Sequence, residues 1–238
     1  MNKTSTWEQI KARLHDGMTV MIGGFFAVGT PLKAIDEIVE SGVKDLTLIS
    51  IANANPYGTF DMAKLFENKQ IKKFITSHTG TCQTAIQQYK NGELDIEFYP
   101  MGSLIEKIRC GGAGLGGVLT PTGIGTLLEE GKQKITVQNK EYLLETPLRA
   151  DIAFIKGYRA DFMGNVQYRG TGNGSSTFIA SASDYTVVEA DEIASIGQIQ
   201  PMDIGTPGIF IDAVLQGYDY TTHQKMISEL WDTAGLLQ

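Results

Sequence analysis

A chain of 238 residues with 42% hydrophobic and 20% charged side chains has the composition of an ordinary globular protein and is long enough to bury a large core. Its 27 acidic against 20 basic residues leave a formal net charge of −7, which excludes nucleic acid as the main partner, because phosphate backbones are held by clustered Lys and Arg. Cys82 and Cys110 form no CxxC pair, the N-terminal stretch lacks the apolar core of a signal peptide, and no run of about 18 apolar residues occurs. The composition therefore predicts a cytoplasmic protein with no structural zinc, disulfide framework or membrane partner.

Trp7, Ile10 and Leu14 stand at helical spacing. An apolar strand follows at Thr19–Ile22, then a helix over Pro31–Ser41, with Thr30 as N-cap, Pro31 at the first helical position and Gly42 as its stop. Strands are predicted at Leu46–Ile51 and Lys73–Ser77, a helix at Gln83–Lys90, a strand at Ile96–Tyr99 and a helix at Ser103–Arg109. Lys134–Val137 and Tyr142–Glu145 flank the turn-forming Gln138-Asn139-Lys140-Glu141 and predict a hairpin. Strands at Ile152–Ile155 and Tyr185–Glu189 complete the pattern. This alternation predicts an α/β fold: an open, mostly parallel sheet with helices on both faces and a small inserted β-hairpin. Residues 1–238 read as one domain, with 217–238 a C-terminal extension in which Met226, Leu230, Trp231 and Leu236 mark a short helix packing on the body or on a partner.

The chain's 27 glycines concentrate at Gly23–Gly29, Gly111–Gly125 and Gly164–Gly174. Open α/β sheets bind ligands beyond the carboxyl ends of their strands, so each cluster is a potential ligand loop or a tight turn. The first is the most informative. Asp16-Gly17 leads into an apolar strand that ends at Gly23-Gly24, and Thr30-Pro31 opens a helix. Glycines there let backbone approach a ligand, and the free N–H groups of the helix attract anions. The loop is neither GxGxxG nor Walker A: Lys33 follows it, but without Gly-Lys-Ser/Thr.

The stretch from Asp16 through Gly23-Gly24-Phe25 and Gly29 to Pro31 resembles the N-terminal signature of the alpha subunits of family I (3-oxoacid) CoA-transferases. Similar segments recur at Asp45–Ile49, Ser77–Thr81, Gly102–Arg109, Gly111–Gly117, Thr120–Gly123 and Pro147–Asp151, so that the likeness covers about residues 5–215. It is strongest toward alpha subunits handling acetate, acetoacetate or butyrate. The resemblance implies a transferase that moves CoA from an acyl-CoA to a free carboxylate by a ping-pong route through a glutamyl-CoA thioester. The glutamate belongs to a beta subunit, giving an α2β2 or higher assembly. On this chain Gly23, Gly24, Phe25, Phe26, Ala27, Val28 and Gly29 would contact CoA, a substrate rather than a permanently bound cofactor, and Gly111–Gly117 would help shape the site at the subunit boundary. A Gly24→Val side chain is expected to block CoA use.

No catalytic residue and no metal ligand is expected here. Glu67-Asn68-Lys69 is the nearest string to a Ser-Glu-Asn-Gly motif, but it lacks the glycine and reads as a solvated helix end; Glu106, Glu129 and Glu130 lie outside any nucleophile motif. A lone His78 at a strand end reads as a structural hydrogen-bonding group, since a carboxylate nucleophile needs no base at neutral pH. His15 and His223 have no supporting context, Arg109 and Arg149 read as salt-bridge partners, and Cys110 as a small buried residue. Two departures from the family pattern, Cys82 and Gly174-Ser175-Ser176, bear on acyl preference. Other readings stay open: an acyl-CoA hydrolase subunit that admits water, and a sugar-phosphate isomerase or effector-binding relative on the same type of sheet. The complete glycine signature, and the want of an isolated acid/base set, speak against the last of these.

Overall fold

The computed structural model describes residues 2–52 and 61–233. Its first half runs α1 (Trp7–Lys11), β1 (Thr19–Ile22), α2 (Leu32–Ser41), β2 (Leu46–Ile49), α3 (Ala63–Glu67), β3 (Ile71–Thr76), α4 (Gln83–Lys90), β4 (Asp95–Phe98) and α5 (Met101–Ala113). The second half runs β5 (Val118–Thr120), β6 (Lys134–Val137), β7 (Lys140–Glu145), β8 (Ala150–Asp161), β9 (Val166–Gln167), α6 (Ser176–Ser181), β10 (Ser183–Ala194), β11 (Ala213–Gln216) and α7 (Tyr220–Thr233).

The main sheet has the order β11-β10-β8-β1-β2-β3-β4, and every pair along that path is parallel. From β1 the chain steps outward through β2 and β3 to β4, then returns to the other side of β1 with β8 and continues through β10 to β11. The direction of winding thus reverses between β1 and β8, which is where open sheets of this kind leave a crevice for ligands.

Alternation along the strands divides the core into two layers. Val20 and Ile22 pack with Ile35 and Ile38 of α2, Phe66 of α3 and Ala85 of α4 on one face. Met21, on the opposite face, packs with Leu104 and Ile108 of α5 and Ile179 of α6. Helices therefore cover both faces, as predicted. At the start of the chain Thr6 and Gln9 form a reciprocal capping box that holds α1 and buries Ile10.

The β8 and β10 strands are 12 residues each, far longer than the predicted Ile152–Ile155 and Tyr185–Glu189. Their apolar runs stop at Lys156 and Glu189, but the ladder continues because opposite charges face each other across it. Lys156 pairs in register with Glu189 and Arg159 with Glu192, the latter with Nε 2.9 Å from the carboxylate.

The predicted hairpin is present as β6–β7, turning through Gln138 (φ 50°) and Asn139 (φ 60°). That two-residue turn matches the twist of the strands, so β7 begins at Lys140, earlier than expected. With β5 the hairpin forms a separate three-stranded sheet. Gly111 and Gly112 are not in a loop: they lie near the end of α5, where a Cβ on Gly111 would sit 2.0 Å from the Leu148 carbonyl oxygen. Close packing of α5 against the β7–β8 connection accounts for that glycine. The C-terminal extension forms α7, which includes Met226 and Trp231; Leu236 lies outside the described residues. Among the described residues no helix is long and apolar enough to cross a membrane.

Candidate ligand-binding site

Strand β1 ends at Ile22, and the next N–H, that of Gly23, still bonds to β8 through the Phe154 carbonyl at 3.0 Å. The backbone then folds back on itself. Phe25 N donates to Val28 O (2.9 Å), and Val28 N donates to Phe25 O (3.0 Å). The two residues between, Phe26 and Ala27, take φ values of 48° and 70°. A left-handed conformation at a non-glycine residue costs of order 1–3 kcal/mol and persists only where its surroundings impose it. Here Ala27 is fully buried, and the Phe26 ring is held edge-on by Phe25 (4.4 Å) and His78 (5.7 Å). The N–H groups of Phe26 and Ala27, at the tip of the turn, donate to no described residue.

The flanking glycines have intramolecular reasons. A Cβ on Gly24 (φ 107°) would lie 2.1 Å from the Thr30 hydroxyl, and one on Gly29 (φ 66°) would lie 2.4 Å from the carbonyl oxygen of Gly172. Gly24→Val would therefore push against Thr30 as well, which gives the expected loss of CoA use an intramolecular cause. Gly29 instead lets the first glycine segment touch the third, where Gly170–Asn173 form a 3-10 turn.

The start of α2 also differs from expectation. Thr30 makes no cap: its buried hydroxyl has no partner, and the helix begins at Leu32 after Pro31. The capping acceptor arrives from β10, whose Glu189 carboxylate accepts from Ala34 N at 2.8 Å. One N–H group at this end of α2, that of Ala34, is thus already taken by a protein carboxylate.

Glu189 begins a buried polar chain. Its other oxygen lies 3.2 Å from Lys156 Nζ, which is 2.6 Å from Asp191 Oδ1, and His223 Nδ1 of α7 is 3.8 Å from that same oxygen. Each of the four residues is less than a tenth exposed. Burial pushes the Glu189 carboxyl above its ordinary range, although Lys156 and the Ala34 N–H oppose the shift. Burial, aided by the Lys156 charge, pushes His223 below its ordinary range, so its imidazole is neutral at neutral pH.

A cavity of about 350 Å³ opens beside this chain of groups. Its walls are Ala27–Gly29 from the strained turn, Lys156–Tyr158 from β8, Tyr168–Gly172, Asp191, and residues Tyr220, His223, Gln224 and Ile227 of α7. Tyr158 and Tyr220 meet edge-on at 5.7 Å, and the Arg169 guanidinium lies over both rings, 4.3 Å from that of Tyr220 and 5.2 Å from that of Tyr158.

Of the predicted contact residues, Ala27, Val28 and Gly29 line the cavity. Phe25 is exposed, and Gly23 packs against β8 and Ser176. The other singled-out side chains lie elsewhere. Arg109 pairs with Glu106 (2.8 Å), and Arg149 binds Asp184 (2.7 Å) and the Gly111 carbonyl (3.0 Å). Glu67 ends α3, and Lys69 beyond it pairs with Glu93. Cys110 is buried in α5, and His15 Nδ1 lies by the Asp16 carbonyl. Cys82 is buried in the core at the start of α4, and burial pushes its thiol up, so it is no part of the cavity wall. Ser175 and Ser176 open α6 behind Gly23. Lys156, Arg169, Asp191 and His223 were not identified from the sequence. Only the opposite charges of the β8 and β10 runs hinted at the pairing, and nothing local marks His223.

The coenzyme A transferase family model matches residues 3–217. The chain is 46% identical over 213 residues to the acetate CoA-transferase alpha subunit of Escherichia coli K12, covering 90% of this chain and 96% of that protein. It is 43% identical over 215 residues to the acetoacetyl-CoA:acetate/butyrate CoA transferase alpha subunit of Clostridium acetobutylicum, covering 90% and 98%. The corresponding subunit of 3-oxoadipate CoA-transferase from Acinetobacter baylyi is 37% identical over 213 residues, covering 89% and 92%. Among solved structures, glutaconate coenzyme A-transferase from Acidaminococcus fermentans superposes with a TM-score of 0.80 at 21% identity, covering 98% of this chain and 87% of that one. An acyl-CoA transferase from Escherichia coli O157:H7 gives a TM-score of 0.81 at 17% identity over 90% of this chain, which spans 47% of that longer one. These structural likenesses establish the fold, and the sequence relatives establish the lineage: the chain belongs to the coenzyme A transferase family.

Proposed function

We propose that this chain is the alpha subunit of a heteromeric CoA-transferase that moves CoA between short-chain acids, and that its strained Phe25–Val28 turn lies at the reacting centre. The observation that carries this reading is the glycine signature folded into a tight turn at the sheet's switch point, beside a cavity, with two N–H groups at its tip that bond to no described residue. The relatives described as alpha subunits support a partner chain. So do large apolar side chains left exposed, Met202 at 94%, Ile209 at 84% and Leu127 at 82%.

In this reading a glutamate of the partner attacks the thioester carbonyl and expels CoA as its thiolate, leaving a mixed anhydride. The thiolate then attacks the glutamyl carbonyl and releases the first acid, giving a glutamyl-CoA thioester. An acceptor carboxylate reverses the two steps. CoA travels as a substrate throughout, and no resident cofactor is needed. The Phe26 and Ala27 N–H groups donate to the oxyanion that forms at each acyl transfer; placed in advance, they spare the cost of reorganising solvent. The positive φ values at Phe26 and Ala27 fix both N–H groups in one tight turn.

The test is reconstitution. The purified chain is expected to be inactive, and CoA transfer is expected to appear when a glutamate-bearing partner subunit is added. Turnover by the chain alone, or acyl-CoA hydrolysis without an acceptor acid in the mixture, would overturn the assignment.

A further inference from the structure

The family match ends at residue 217, yet the cavity is closed by α7, which begins at Tyr220. The helix therefore supplies part of the cavity wall from beyond the span of the family model. Two polar groups on the cavity lining lack partners. His223 is 8% exposed, and its Nε2 has no hydrogen-bond partner, although buried polar atoms in folded proteins are almost always paired. Arg169, an exposed residue, has its guanidinium over the Tyr158 and Tyr220 rings, and among the described residues no carboxylate lies within ion-pair distance of it. Lys156 is different, being already neutralised by Glu189 and Asp191. A free anion or carbonyl entering here is thus directed to Arg169 and His223 rather than to the lysine. The forked guanidinium suits a carboxylate, and either group suits a ketone oxygen. Another part of the lining, Ala27–Gly29, belongs to the turn at the reacting centre.

We infer that α7 and Arg169 form a specificity subsite for the distal end of the acid. The ligand is a short acid carrying a second oxygen acceptor, a carboxylate or a ketone, away from its reacting carboxyl group. The reacting end faces the Phe25–Val28 turn, while Arg169 and His223 take the distal oxygen. The inference rests on the transferase reading for which end reacts, but the binding itself does not require that reading.

Two measurements test it. In the reconstituted heteromer, acceptor kinetics with succinate, acetoacetate and butyrate are compared for the native chain, Arg169→Gln and Arg169→Lys. Arg169→Gln is expected to lower the preference for succinate or acetoacetate over butyrate at least about tenfold through KM, with part of it restored by Arg169→Lys. Whether succinate or acetoacetate suffers more distinguishes a carboxylate from a ketone as the distal group. An equal effect on all three acids, or none, overturns the subsite. Independently, the isolated chain carrying ¹⁵N-labelled histidine is titrated with the same acids. The His223 Nε2 resonance is expected to shift with succinate or acetoacetate and not with butyrate. No shift with any acid, or an equal shift with all three, overturns the inference even if the heteromer proves inactive as a transferase. A selective shift in an inactive heteromer upholds the subsite while the transferase reading falls.

Discussion

The Glu189 carboxylate accepts a hydrogen bond from the Ala34 backbone at 2.8 Å, so a strand on one side of the switch point caps the helix that leaves the other. This bond joins β10 to α2 across the root of the glycine turn, and Lys156, 3.2 Å away, shares the same carboxylate. Removing it exposes two needs at once. Glu189→Ala leaves Lys156 with one carboxylate fewer and the Ala34 N–H unpaired, and is expected to cost about 3–5 kcal/mol. Glu189→Gln keeps an acceptor for Ala34 and is expected to cost distinctly less. Urea unfolding of the two variants checks the order.

Gly29 and Gly42 share a positive φ, 66° and 71°, but differ in what surrounds them. A Cβ on Gly42 meets nothing within 4 Å, whereas one on Gly29 would meet Gly172. Gly42→Ala is expected to cost about 1 kcal/mol from backbone strain alone, with acyl-CoA kinetics unchanged. Gly29→Ala must also push the two glycine segments apart, so it is expected to cost more and to raise the KM for acyl-CoA in the heteromer. Comparing the pair by thermal unfolding and steady-state kinetics separates strain from contact.

Ala27→Gly tests whether strain in the turn is used. Glycine accepts φ 70° freely, so the variant is expected to gain up to about 1 kcal/mol of stability. It also frees the turn to move, and kcat is expected to fall about tenfold as the two N–H groups lose their alignment. A variant both more stable and fully active would refute a role for the strain.

His223 gives the fold an acid-sensitive contact at α7. Its pKa is depressed by burial and by Lys156, while Asp191 pulls the opposite way. Below the ordinary value of 6.5 the unfolded chain binds a proton that the folded chain resists. This contribution is therefore fully present above pH 6.5 and is lost as pH falls from there toward the folded pKa. Melting temperature measured from pH 7.5 to 5 is expected to decline, and His223→Asn is expected to flatten the part of the decline below 6.5.

Strands β1 to β4, β8 and β10, the parallel sheet with helices on both faces, the hairpin and the glycine signature were legible as local patterns, whereas β5, β9 and β11 were not. Apolar runs such as Thr19–Ile22 and turn residues such as Gln138-Asn139 carry their meaning within a few positions. The long reach of β8 and β10 was hidden because Lys156 and Glu189 end the apolar runs, and a charge reads as a strand end unless its partner across the ladder is known. Thr30 was a sound local N-cap, displaced by a carboxylate whose hydrogen bond to Ala34 spans 155 positions.

The sequence by itself determined the family and the kind of chemistry, because the signature from Asp16 to Pro31 needs a particular order of residue types that neighbours in the chain can specify. Only the tertiary structure decided what those residues do. It spent Gly24 on Thr30 and Gly29 on Gly172, bonded Ala34 at the start of α2 to Glu189, and set His223 opposite Lys156 and Asp191. Most of those contacts join positions far apart in the chain. They are settled by which strands lie side by side, and no local pattern of residues encodes that adjacency.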